Sequence, residues 1–122
     1  PWTDDATFRP GPALGSGRVN CAAVLAGGCI VVIGGASGAS ALNTTELLDA
    51  QTMAFAAGPN LLEGRIGCAA VQIDEKRVLV VGGMGGPFSN ALNTTYILHL
   101  STRIFTPGPD MLTARNMCAA VA

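Results

Sequence analysis

The chain has 122 residues, seven basic and eight acidic, and its net charge is −1. Its length allows one ordinary domain, and the scattered basic residues form no patch that would bind nucleic acid. Hydrophobic residues make up 49% of the chain and charged residues only 12%, so most strands are expected to be buried on both faces.

The chain begins with a segment that is expected to end in a loop. Residues 1–14 are predicted to hold a strand followed by a loop, because the Pro-Gly-Pro sequence at 10–12 cannot continue a β-ladder. The next predicted strand, at 21–25, has mostly small side chains. Two glycines at 27–28 then make a tight turn.

An uninterrupted apolar run at 29–33 forms the following strand and is expected to be buried on both faces. Gly34 and Gly35 end this strand, because glycine accepts positive φ and lets backbones approach closely. A loop of small residues at 36–41 is predicted to come next.

Two further strands are predicted at 43–49 and 53–57. Phe55, in the second of them, is expected to pack between neighbouring sheets, and a Gly-Pro pair at 58–59 ends that strand. No segment shows a helical period, and short strands with this even spacing predict an all-β fold.

The same order of features then recurs. A seven-residue pattern, Arg with two variable residues and then Cys-Ala-Ala-Val, begins at Arg18, Arg65 and Arg115, which are 47 residues (18 to 65) and 50 residues (65 to 115) apart. A Gly-Gly pair and the string Ala-Leu-Asn-Thr-Thr recur in step with it. A repeat of about 50 residues is typical of a β-propeller, in which each repeat forms one blade.

The repeat divides the chain into four parts. Residues 1–20 are predicted to be the end of a preceding blade with a linker, 21–67 and 68–117 two complete units, and 118–122 the first strand of a following blade. Small side chains suit the inner strand of a blade, where blades converge. Since propellers usually close with about four to eight blades, we expect the chain to belong to a longer protein or to be completed by partners.

A membrane span is the main alternative for residues 21–42, which carry no charge and are long enough to cross a bilayer. Gly34 and Gly38 also make a Gly-x-x-x-Gly spacing. The equivalent stretch of the second unit carries four consecutive charges at 74–77, which belong in a turn and not in hydrocarbon. Because two copies of one unit share one environment, no membrane span is expected.

The order of these features resembles the kelch repeat over nearly the whole chain. The shared features are a Gly-Gly pair, a position six residues before an aromatic residue, a proline loop and an arginine: Gly34-Gly35, Asp49, Phe55, Pro59 and Arg65 in one unit, and Gly82-Gly83, His99, Phe105, Pro109 and Arg115 in the next. The sequence departs from the usual pattern at Leu48 and Leu98 in place of Tyr, at Phe55 and Phe105 in place of Trp, and at His99 in place of an acid. The resemblance implies a kelch-like β-propeller fragment with four-stranded antiparallel blades, and partner binding by loops at one end.

The four cysteines are predicted to be free, buried and structural. The closest pair, Cys21 and Cys29, is separated by seven residues with no histidine nearby, which does not suit a zinc site. Equivalent cysteines on neighbouring blades are expected to lie beyond the roughly 7 Å Cα separation that a disulfide allows. Free thiols are compatible with a reducing, cytoplasmic compartment.

No catalytic, cofactor-binding or metal-binding residue is predicted. His99 is the only histidine, so any Ser-His-Asp or Cys-His arrangement would need it. Its place between two leucines in a predicted strand favours a structural role. The glycine-rich stretch at 82–86 lacks the Lys-Ser/Thr that a phosphate-binding loop requires.

Asn43 and Asn93 each begin an Asn-Thr-Thr triplet that matches the N-glycosylation pattern. The triplets recur because the repeat recurs. They are relevant only if the protein is secreted, and the compartment stays open.

Arg18, Arg65 and Arg115 have two possible roles. They could form a ring that binds an acidic or carboxylate-bearing partner, or each could bond loop carbonyls and fasten one blade to the next. The second role is favoured, because residues present in every repeat usually serve the repeat itself. Phe88 occurs in one loop only and is therefore the leading candidate for partner contact.

The resemblance favours a non-catalytic interaction or scaffolding module whose loops bind a protein partner. The alternative is part of a secreted propeller enzyme or carbohydrate-binding protein similar to galactose oxidase. Such copper radical oxidases use several His and Tyr ligands, whereas this chain has only His99 and Tyr96, so the active site would lie outside it. A third hypothesis is structural assembly through exposed edge strands, with further blades or another subunit.

Overall fold

The computed structural model describes residues 9–86 and 91–113. Within these ranges the chain forms strands and no helix. The strands are β1 (Ala22–Ala26), β2 (Cys29–Ile33), β3 (Ala36–Ser37), β4 (Ser40–Ala41), β5 (Thr45–Asp49), β6 (Phe55–Ala57), β7 (Ala69–Asp74), β8 (Arg77–Val81), β9 (Thr95–His99) and β10 (Ile104–Pro107).

Two four-stranded antiparallel sheets form the framework. Blade 1 has the strand order β1-β2-β5-β6, and blade 2 has the equivalent order β7-β8-β9-β10. All neighbouring strands in both sheets are antiparallel. The predicted all-β fold with four-stranded antiparallel blades is confirmed, and the two sheets lie inside the units predicted at 21–67 and 68–117.

The predicted loop at 36–41 is instead a small hairpin, in which β3 pairs with β4. Gly38 has a φ of +61° in its turn, a conformation that glycine adopts at little cost. An isolated bridge joins Val19 to Ala36, so this hairpin is tied to the linker that precedes blade 1. Small side chains gave no alternation of polar and apolar residues from which these strands could be recognised.

Two strands begin later than predicted. β5 starts at Thr45 because the preceding backbone bonds outside the ladder: Gly34 N donates to Thr44 O at 3.1 Å. β6 starts at Phe55 because a turn precedes it, in which Met53 N donates to Asp49 O at 2.8 Å.

The apolar core lies between the two blades. It is one cluster of buried side chains from both sheets: Ala22, Ala26, Val31, Ile33, Leu47 and Leu61 from blade 1 and its following loop, and Cys68, Val78, Val80, Tyr96, Leu98 and Phe105 from blade 2. Alternate residues of each strand supply it, as the two-residue period of a strand requires. The blades therefore pack face to face.

The opposite faces of the blades are only partly covered within the described residues. Leu25 on blade 1 is 63% exposed and Ile73 on blade 2 is 41% exposed. The expectation that most strands are buried on both faces is correct for β2 and β5, whose Val32 and Leu48 on this face are each 8% exposed, and wrong where Leu25 and Ile73 lie. Phe55, which was predicted to pack between neighbouring sheets, is half-buried on the partly covered face of blade 1, whereas the equivalent Phe105 packs between the two blades.

The cysteine prediction is correct in part. Cys21 and Cys29 are free, and of the three described cysteines only Cys68 is buried. Its Sγ lies 4.0 Å from the carbonyl oxygen of Ile33 in blade 1. Cys21 is exposed because no described sheet lies before blade 1, and Cys118 lies outside the described residues.

Residues 21–42, the stretch considered as a membrane span, form β1 to β4 and their connections. In the described part of the chain, no helix is long and apolar enough to cross a membrane.

Candidate functional site

The connections between strands collect at two ends of the blade pair. The turn end comprises residues 26–29, 49–54, 73–77 and 99–104, and there Ala50 N donates to Gly28 O at 3.2 Å. The loop end comprises residues 15–20, 34–44, 58–67, 82–86, 91–94 and 108–113. It carries the hairpin of β3 and β4 and the crossing from blade 1 to blade 2, so the larger connections lie there.

Arg65 joins the two blades at the loop end. Its backbone belongs to blade 1, since Arg65 N donates to Leu42 O at 3.1 Å and Gly35 N donates to Arg65 O at 2.8 Å. Its guanidinium enters blade 2, where Nη1 donates to Gly82 O at 2.9 Å and to Thr94 O at 3.1 Å. Nη2 donates to Thr94 Oγ1 at 2.7 Å. The side chain is fully buried, with 0% exposure.

Arg18 makes the equivalent contacts in blade 1. Its Nη1 donates to Gly34 O at 2.9 Å and to Thr44 O at 3.0 Å, and its Nη2 donates to Thr44 Oγ1 at 3.1 Å. These contacts agree with the interpretation that each arginine bonds loop carbonyls, and Arg65 fastens one blade to the next. Contact of Arg18 or Arg65 with an acidic partner stays a prediction. Arg115 and Phe88 lie outside the described residues.

The two arginines differ in their neighbour on the third strand of each sheet, β5 or β9. Arg18 Nη2 lies 3.0 Å from Glu46 Oε2, in an ion pair of two nearly buried side chains. The residue of blade 2 that corresponds to Glu46 is Tyr96, and the Arg65 guanidinium lies 4.5 Å from the centre of its ring. A carboxylate and an aromatic face thus serve the same guanidinium position, because both attract a cation.

Glu46 also fixes the linker before blade 1. Gly15 N donates to Oε1 at 2.6 Å and Ser16 N donates to Oε2 at 3.2 Å. Burial alone would raise the pKa of Glu46, but the two backbone N–H groups and the Arg18 charge together hold this pKa below its ordinary value. The ionised carboxylate therefore stabilises the folded chain.

The Glu46→Gln variant is expected to show a flatter loss of stability in acid than the wild type. Because the folded-state pKa is lowered, the carboxylate contributes stability above the ordinary glutamate pKa of about 4.3, and this contribution is lost as the pH falls through the lowered value. Denaturant midpoints of both proteins between about pH 3 and pH 7 measure the difference. The difference in denaturant midpoint between the two proteins should be largest near neutral pH and should disappear in acid. Glu75→Gln, at an exposed position, is the control. A gap that is independent of pH would contradict the prediction.

The Asn-Thr-Thr triplets anchor the loop that leaves each blade. Asn43 O accepts from Leu61 N at 2.7 Å, and Asn93 O accepts from Met111 N at 2.7 Å. Thr45 Oγ1 donates to Pro59 O at 2.7 Å, and the equivalent threonine of blade 2 bonds its proline at the same distance. In the sequence these triplets mark the repeat and match the glycosylation pattern, but their bonds to the following loop are seen only in the structure. Both asparagines are exposed, and glycosylation stays a prediction for a secreted protein.

In the described residues, the side chains that could act in catalysis or bind a metal do not lie together at one site. His99 Nε2 lies 2.8 Å from Thr106 Oγ1 at the turn end. Tyr96 is three residues away on the same strand and so lies on the opposite face of the sheet. Within residues 9–86 and 91–113, no group of three or more His, Cys, Asp or Glu side chains could hold a metal ion.

Two of the cavities that the described residues form lie beside the blades. An apolar cavity of about 80 Å³ lies between them at the turn end, beside Cys29 and Leu98, and is smaller than ligand pockets of roughly 300 Å³ and more. An open depression of about 440 Å³ lies beside Arg18, Glu46 and Phe55, on the partly covered face of blade 1. Neither cavity is both enclosed and lined by several reactive side chains.

The comparison with known families agrees with this architecture. The Kelch motif matches residues 17–60 and 64–112. None of the curated proteins matches the chain. Since the motif is matched over most of the chain and each match contains one complete four-stranded sheet, the chain belongs to the kelch-repeat family.

Proposed function

We propose that the chain is a non-catalytic interaction module and that a protein partner binds its loop end. The observation that carries this proposal is that the residues of the loop end fall into two groups, one bonded within the blades and one exposed to solvent. Among the described residues, the repeated Arg18, Arg65, Thr45 and Thr95 are bonded within the blades. The hairpin between β3 and β4, by contrast, exposes Ser37, Ala39 and Ser40 to solvent. A rigid scaffold that presents variable loops is the usual arrangement of a binding module.

The secreted-enzyme alternative has less support from this chain. Its two residue types suited to copper radical chemistry, His99 and Tyr96, lie on opposite faces of β9 and cannot share one ion. An active site elsewhere in a longer protein would be compatible with the blades described above. Such an active site would not take both His99 and Tyr96 as ligands of one copper ion.

The partly covered faces of both blades support a second part of the proposal. Val31 and Ile33 of blade 1 are 1% and 0% exposed at the joint between the blades, whereas their equivalents in blade 2, Leu79 and Val81, are only half-buried. Such faces suit packing by further blades of the same chain or by another subunit, because burial of their apolar area stabilises the association.

Site-specific photo-crosslinking tests the proposed binding end. A photoreactive amino acid placed at Ala39, at the loop end, is expected to yield discrete crosslinked species in an extract of the source cells. The same photoreactive amino acid at Gln51, which is also exposed but lies at the turn end, should yield none, because partners are expected at one end only. Species that form equally from both positions, or only from Gln51, would refute the proposal. Mass spectrometry of the crosslinked bands identifies what is bound.

A further inference from the structure

Two leucines are exposed at equivalent places on the loops that leave the blades. Leu62 is 65% exposed and Leu112 is 105% exposed. They lie three residues before Arg65 and Arg115, the equivalent arginines of successive repeats. An exposed leucine is unremarkable when it occurs singly, but here the same place on two loops has one.

The exposure of Leu62 does not arise from an uncovered sheet face. Leu62 lies on the crossing between blades 1 and 2, where both blades are present, and it still points away from the core. Its neighbour Leu61 is 2% exposed and belongs to the core. Packing of another sheet against either blade would therefore not account for the exposure of Leu62.

Both leucines are held on fixed loops. The loop that carries Leu62 is bonded to blade 1 through Leu61 N and Asn43 O at 2.7 Å and through Arg65 N and Leu42 O at 3.1 Å. The loop that carries Leu112 repeats the first bond, between Met111 N and Asn93 O, at 2.7 Å. An apolar side chain on a loop that is already ordered loses little further entropy when a partner covers it, which favours its use as an anchor.

Among the described residues, the exposed charges beside the leucines are negative. Glu63 follows Leu62 directly and its side chain is 53% exposed, and Asp110 lies two residues before Leu112 and is also exposed. The positive groups of the described loop-end residues are the guanidiniums of Arg18 and Arg65, with side-chain exposures of 1% and 0%. Glu63 Oε1 lies 3.8 Å from Arg65 Nη2, too far for a hydrogen bond, so its oxygens can accept donors from a partner.

We infer that Leu62 and Leu112 anchor a partner segment in which apolar side chains are flanked by lysine or arginine. The apolar side chains cover the two leucines, and the flanking cations bind the carboxylates of Glu63 and Asp110. Such charge complementarity sets the orientation and specificity of an interface more than its affinity. This inference rests on the proposed function of the loop end, since it names the chemistry of the partner at that end.

Selection from a library of random 12-residue peptides on the immobilised full chain tests the inference. Enriched peptides are expected to combine Leu, Ile or Phe with Lys or Arg. The affinity of the strongest synthetic peptide should fall about tenfold or more in Leu62→Ser or Leu112→Ser, the loss typical of an anchor residue. Leu25→Ser is the matched control, because Leu25 is 63% exposed but lies outside the loop end.

The carboxylates are tested with the same peptide. Glu63→Gln and Asp110→Asn are expected to weaken binding about threefold each and to reduce its dependence on salt, whereas Glu75→Gln at the turn end should change neither. Enrichment of acidic peptides, or binding unchanged by the leucine substitutions, would overturn the inference. If Ala39 still formed specific crosslinks in that case, the proposed function would stand. Self-association of the chain that is abolished by Leu62→Ser would assign the surface to a second copy and overturn the inference as well.

Discussion

Replacement of Gly34 by alanine is expected to lower the free energy of unfolding by about 2 to 4 kcal/mol. Gly34 has a φ of +63°, and a Cβ placed on it would lie 2.7 Å from the carbonyl oxygen of Arg65. That carbonyl accepts the hydrogen bond from Gly35 N at 2.8 Å. An added methyl group would therefore strain the backbone of Gly34 and also push Arg65, near the end of the crossing to blade 2, away from blade 1.

Gly38→Ala is the matched control for this substitution. Gly38 has nearly the same φ, +61°, but no heavy atom lies within 4 Å of its added Cβ. Only the left-handed conformation opposes alanine there, at a cost of about 1 kcal/mol. Denaturant unfolding of both variants separates backbone strain from the close contact at the joint between blades. Equal destabilisation of the two would show that the contact at Gly34 is relieved without cost.

The framework of this fold follows from the repeat and from the glycines. Each unit places a small-residue strand, an apolar strand and a Gly-Gly pair in the same order, and each forms the same four-stranded sheet. The predicted positive φ at Gly34 and Gly35 is confirmed, with values of +63° and +95°. Backbone conformations that favour glycine leave a signal in sequence, because the residue type itself is constrained.

The candidate site was less predictable, because its features depend on pairs of residues far apart in the chain. Nothing in the string Thr-Thr-Glu indicates that Glu46 accepts bonds from Gly15 and Ser16, about 30 residues earlier. The exchange of Glu46 for Tyr96 is likewise understood only once the arginine beside each is known. The exposure of Cys21 and burial of Cys68 differ although the residues are equivalent in sequence, because only Cys68 has a described sheet on its other side.

Arg65→Met is expected to lower the free energy of unfolding by about 3 kcal/mol. Methionine fills much of the same apolar volume but donates no hydrogen bond, so Gly82 O and both oxygens of Thr94 lose the donors that Arg65 now supplies. Because the side chain is fully buried, water is not positioned to replace these bonds without disturbing the blades. The contact of the guanidinium with the Tyr96 ring is lost as well.

Arg77→Met controls for the change in net charge, since Arg77 is 46% exposed and pairs with the exposed Asp74. Its effect on denaturant unfolding is expected to be much smaller. Arg65→Lys separates charge from geometry. A lysine keeps the cation but has a single nitrogen, which cannot reproduce the planar fork that contacts Gly82 and Thr94 at once, so its stability should lie between those of the wild type and Arg65→Met. Stability equal to the wild type would mean that charge alone holds the blades together. Equal effects of Arg65→Met and Arg77→Met would mean that the guanidinium does not fasten the blades, and the joint would then depend on apolar packing.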